Sequence, residues 1–135
     1  MPSKHSSARV ALLVLAALMA GSSQVSAVTQ AEVARTHRVH LRQLHKEIKR
    51  SRFARVVASV RPGPVRDTAF AIVIVNHRWN NLTRAQRLAA ARTWWERWAA
   101  MRARYEKQVV VDIKAPGGYP LLHCYGDAQG NFKAT

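Results

Sequence analysis

Residues 69–75 read AFAIVIV, and residues 76–105 continue NHRWNNLTRAQRLAAARTWWERWAAMRARY. The first stretch is short, β-branched and apolar at consecutive positions, which predicts a central strand covered on both faces. It stops at the polar turn Asn76 to Asn81. Thr83-Arg84-Ala85-Gln86 then has the form of a capping box, in which a Thr hydroxyl and a Gln side chain satisfy free N–H groups at a helix start. A helix to about Tyr105 follows, with Leu88, Ala91, Trp94, Trp95, Trp98, Met101 and Tyr105 on one arc and Arg92, Glu96, Arg97 and Arg104 opposite.

Downstream, Gln108 to Ala115 (QVVVDIKA) alternates in the period of a half-covered strand. Pro116-Gly117-Gly118 is a turn, Tyr119 to Tyr125 the next strand, and Gly126 to Asn131 a second reversal before a short closing strand, Phe132 to Ala134. A strand-helix-strand of this length closes as a right-handed parallel crossover, and short turns add antiparallel strands beside it.

Upstream, Thr29-Gln30-Ala31-Glu32 again has capping-box form, and a helix should run to about Arg50. Val33, His37, His40, Leu41, Leu44 and Ile48 share one stripe, while Arg35, Arg38, Arg42, Lys46, Lys49 and Arg50 gather opposite. Phe53, Val56, Val57 and Val60 are helically spaced but out of phase with that stripe, which suggests a kink or a second short helix near Ser51, ended by Pro62-Gly63-Pro64. The expected class is α+β: an N-terminal amphipathic helix, then a small β-α-β-β-β mixed sheet with a Trp-rich helix on one face. The first helix is the candidate to cover the other face. In domain terms this gives a basic helical segment over 28–61, a Pro/Gly hinge over 62–68 and a sheet module over 69–135, together one domain.

Residues 1–27 have the form of an export signal. Lys4 and Arg9 precede an unbroken apolar run, Val10 to Ala20, and Val25-Ser26-Ala27 suits signal peptidase. The apolar run is too short to span a bilayer, so no transmembrane span is expected in the mature chain. Export implies a periplasmic or secreted protein. Removing Lys4 and Arg9 from the 22 basic residues leaves 20 against 7 acids, a net +13. Such a field favours polyanions: nucleic acid, lipopolysaccharide, anionic lipid or acidic polysaccharide.

Catalytic signals are weak. Cys124 is the sole cysteine, so no intramolecular disulfide can form, and its place in an apolar strand predicts burial. His123 and Cys124, adjacent on one strand, point to opposite faces and cannot form a nucleophile-base pair. His37 and His40 share a helix face, but no acid or cysteine completes a metal set locally. No glycine-rich phosphate loop follows the first strand, so no cofactor is expected.

The reading is a non-enzymatic accessory that binds a polyanion or an anionic envelope surface through Arg35, Arg38, Arg42, Lys46, Lys49 and Arg50. Trp79 and Arg78 are further contact candidates in an exposed turn. The alternative is a protein-interaction module in which charge serves solubility alone. Exported protein should begin at Val28, and the intact mass of secreted material checks this; a chain retaining Met1 or Lys4 would contradict it.

Overall fold

The computed structural model describes residues 28–63 and 67–135. The export-signal reading of residues 1–27 therefore lies outside the described residues, as do residues 64–66 within the Pro/Gly hinge. Ala31 to Thr135 forms one compact unit. No helix among the described residues is long and apolar enough to cross a membrane.

The protein is α+β, with two helices on a five-stranded mixed sheet. Helix α1 spans Gln30–Lys49, strand β1 Val57–Pro62 and strand β2 Phe70–Val75. Helix α2 spans Arg84–Arg102, and strands β3 (Gln108–Lys114), β4 (Pro120–Asp127) and β5 (Phe132–Ala134) complete the sheet in chain order. The crossover through α2 makes β2 and β3 parallel, while the other neighbours are antiparallel. Thr83 and Gln86 form the expected capping box on α2.

One expectation fails at residues 53–60. In place of a second helix, Ala54–Val56 is a single 3-10 turn and Val57–Pro62 is an edge strand paired with β2. The cause is visible in the register. Val57 opposes Val75 and Val60 opposes Val73, with a bulge between Val57 and Ser59. Without the bulge, side chains three apart would face opposite ways; the extra residue turns both valines inward. A turn with a step of three followed by a bulged strand reproduces the spacing of a helix, and the β-branched composition decides between them.

The second correction concerns layers. Leu41, Leu44 and Ile48 of α1 join the same core as Trp94 and Trp98 of α2 and Ala71, Val73 and Val75 of β2. Both helices thus lie on one face, and no described helix covers the other. There Ile72 stands between Arg61 and Asp112, and Ile74 between Ser59 and Lys114. Both isoleucines are nevertheless only 8% exposed.

The core is organised by the tryptophans of α2. Trp95 donates its indole N–H to the Val109 carbonyl at 3.1 Å, and Trp98 donates to the Ala69 carbonyl at 2.8 Å. These bonds let large rings be buried without stranding their polar atoms. The buried arc of α2 is shifted from the expected one. Leu88 is 37% exposed, whereas Arg102 is fully buried.

Trp79 also belongs to this core. It is 3% exposed, with its ring 5.9 Å from that of Trp94. Trp79→Ala should therefore cost as much as Trp95→Ala or Trp98→Ala, about 3–5 kcal/mol each. Chemical denaturation checks this, and a Trp79→Ala loss below about 1 kcal/mol would place the ring outside the core.

Candidate cationic face and its supports

The outer face of α1 is the most strongly marked surface. Arg35, Arg38, Arg42, Lys46, Lys49 and Arg50 are all exposed, and at 100° per residue they fall within an arc of about 120°. The opposite side buries His37, Leu41, Leu44 and Ile48. Among the described residues none of the six cations makes an ion pair, since the ion pairs found are Arg92–Glu96, Arg97–Glu47, Arg102–Glu106 and His123–Asp112. Val39 lies within the same arc and is 48% exposed.

What holds this face outward is a polar cluster on the inner side. The Arg102 guanidinium donates to the Thr36 hydroxyl at 3.2 Å, to the Val33 carbonyl at 3.4 Å and to Glu106 at 3.3 Å. Thr68 donates to the same Glu106 carboxylate. Arg102 also bonds His40 Nδ1 at 3.2 Å. A guanidinium has no acceptor, so Nδ1 must accept and His40 must be neutral with its proton on Nε2. His37 donates from Nε2 to the Phe70 carbonyl at 2.8 Å and sets its ring edge-on to Trp98.

The electrostatics agree with that tautomer. Burial, then the charge of Arg102, holds His40 below the ordinary value of 6.5. Burial also holds His37 below 6.5, against the opposing pull of the Phe70 carbonyl. Burial lowers Arg102 itself, with Glu106 opposing, and an arginine stays charged regardless. His37 and His40 each use one ring nitrogen in docking α1. Among the described residues, no group of three metal-ligating side chains comes together.

The remaining candidates separate. Arg78 is exposed, but Trp79 is not. The contact role read for Trp79 is corrected: the Asn76 side chain caps the turn by accepting from Arg78 N–H at 2.9 Å. The 3-10 turn His77–Asn81 then carries the ring inward, where the Arg87 side chain donates to the Trp79 and Asn80 carbonyls, each at 3.1 Å. His123 and Asp112 pair at 2.5 Å on the face of the sheet that no described helix covers. Cys124 points the other way and is buried; burial, then the charge of Asp112, pushes its thiol up to about 12. A thiol so held is not a nucleophile at neutral pH.

Sequence reasoning missed Arg102. Its position four residues after Trp98 places it on the buried arc, and that spacing was the available signal. In class terms, the described residues form a two-layer α+β fold in which α1 displays a cationic face and is docked through neutral histidines. No protein-family model matches the chain, and no curated protein or solved structure does so.

The histidines make stability depend on pH. Their folded-state pKa values lie below the unfolded value of 6.5, so the unfolded chain binds more protons and stability rises with pH in that window. Stability should be full above about pH 6.5 and fall as acidification passes down through the lowered folded-state values. His40→Asn with His37→Gln keeps an acceptor and a donor near the same places without titrating there. This pair should flatten the decline, leaving the share of His45, which burial and then Lys49 also hold low. Thermal melting at stepped pH checks it, and an unchanged slope in the double variant would refute the role of the cluster.

Proposed function

We propose that the protein is an exported, non-enzymatic accessory that binds a polyanion or an anionic envelope surface through the outer face of α1. One observation carries this reading. Six exposed cations share a narrow arc of a helix whose opposite side is packed, with no acid paired to them among the described residues. Such a surface attracts phosphate-rich or carboxylate-rich polymers by counterion release and carries no base-reading geometry. Export rests on the sequence of residues 1–27 and is part of the proposal.

A second reading, a protein-interaction module, is favoured by the sheet face that no described helix covers. Phe70 of β2 lies half-buried on that face, and Arg61, Asp112 and Lys114 flank the buried Ile72 and Ile74 there. In this reading the net charge serves solubility.

The two are separated by where charge is removed. Replacing Arg38, Arg42, Lys46 and Lys49 with Gln should flatten the salt dependence of duplex-DNA affinity by about three to four units of log–log slope, with no sequence preference. Circular dichroism should be unchanged, because Gln is a competent helix former and these side chains are exposed. Replacing the exposed Arg84, Arg104, Lys107 and Lys133 should do much less. Equal losses from the two sets would reduce the attraction to the field of the whole molecule and put the interaction module first.

A further inference from the structure

The cationic face continues past the end of α1 into a crevice of about 370 Å³. Its walls are apolar: Phe53, Val56 and Leu82 from the chain segments flanking the sheet, and Ala85 and Ala89 from the first turns of α2. Its lip is cationic. Arg52 is exposed and lays its guanidinium over the Phe53 ring, 4.8 Å from the centroid. Gln86 is the other polar side chain of the lining, and its amide oxygen is already held by the Thr83 N–H at 2.8 Å.

Lys49, Arg50 and Arg55, all exposed, stand within three positions of Arg52 along the chain. The nearest acid in sequence, Glu47, is turned to Arg97 at 3.9 Å. A nucleic acid has no use for an apolar recess beside its phosphates. An amphiphile with an anionic head and a hydrocarbon tail uses both halves.

We infer that this crevice and the cations at its lip form a site for an anionic lipid, the head-group phosphate lying against Arg52 and its neighbours and the acyl chain entering between Phe53, Leu82 and Ala85. The inference deepens the polyanion reading and rests on it. It narrows the partner from any polyanion to one whose charge is joined to an alkyl chain. Burial of the chain adds affinity that salt does not remove, because the hydrophobic part of binding is not screened.

Alkyl phosphates below their micelle concentration are the probe. On the unaltered protein, affinity should rise roughly three-fold for each methylene added from butyl to octyl phosphate, as expected for a chain leaving water. Inorganic phosphate should bind much more weakly. Ala85→Leu with Ala89→Leu narrows the crevice from a helix that tolerates leucine. This variant should lose roughly ten-fold in octyl phosphate affinity, the equivalent of about two methylenes kept outside, while keeping its affinity for duplex DNA.

A flat chain-length series on the unaltered protein would overturn the lipid site and leave the cationic face of α1 standing, as would full octyl phosphate affinity in the filled variant. Equal loss of DNA and octyl phosphate binding in the filled variant, with its melting temperature intact, would also overturn it and assign the crevice to nucleic acid. If that variant melts early, the chain-length series decides alone. Loss of DNA binding only in the α1 glutamine variant supports the polyanion reading independently of the crevice.

Discussion

Trp98 must be buried and its indole N–H must be bonded, and both needs are met at one point of the fold. The N–H reaches the Ala69 carbonyl at the entry to β2, and the ring edge of His37 from α1 rests against the indole at 5.6 Å between centroids. Trp95 makes the matching bond to Val109 on β3 and packs against Phe132 of β5. A helix pinned to two strands in this way cannot roll about its axis without breaking a buried hydrogen bond, at a cost of about 1–3 kcal/mol. Once α2 is fixed, its remaining apolar surface is the place where α1 can bury its stripe, and the two helices end on the same face.

Arg102 then sets the rotation of α1. A buried guanidinium needs acceptors, and here the two terminal nitrogens find them in Val33, Thr36 and His40 on α1 as well as in Glu106 on its own side, while Nε has none among the described residues. Turning α1 by one residue would withdraw three of those acceptors. The cost of leaving that charge unpaired keeps the stripe inward, and by helical geometry alone it keeps Arg38, Arg42 and Lys46 outward. The cationic face and the buried cluster are two sides of one constraint.

The elements of the second half were legible because each carried its own local signal: the β-branched run before Asn76, the Thr83 cap, the alternation of Val109, Val111 and Ile113, and the glycine turns. What was not legible depends on partners distant in sequence. Val57 and Val60 share a face only because β2 imposes a bulge on the strand beside it. Trp79 was read as exposed from its polar neighbours, yet its environment is set by Trp94 on α2. The layer holding α1 could not be read from AFAIVIV, because apolarity on both sides of a strand does not say which neighbours cover it. The six cations were legible as a set because exposure of a charge is the default, whereas the crevice beside them is made by three separate chain segments.

The distribution of acids bears on what the cationic face is for. Of the seven acids, Glu47, Glu96 and Glu106 pair with arginines, Asp112 pairs with His123, and Asp67 and Asp127 hold turns through backbone N–H groups. None of these six opposes the outer face of α1, where Arg38, Arg42, Lys46 and Arg50 recur at the four-residue step that stacks like charges one turn apart. Each such pair costs a helix about 0.2–0.5 kcal/mol. The helix dipole compensates near the C-terminal end, at Lys46 and Lys49, but not at Arg35, Arg38 or Arg42. Solubility would be served equally by spreading the same charges, or by interleaving them with acids, at no such cost. A bound anion would remove the repulsion at its source, so on the proposed reading the helix regains on binding the stability that clustering its cations costs the isolated protein.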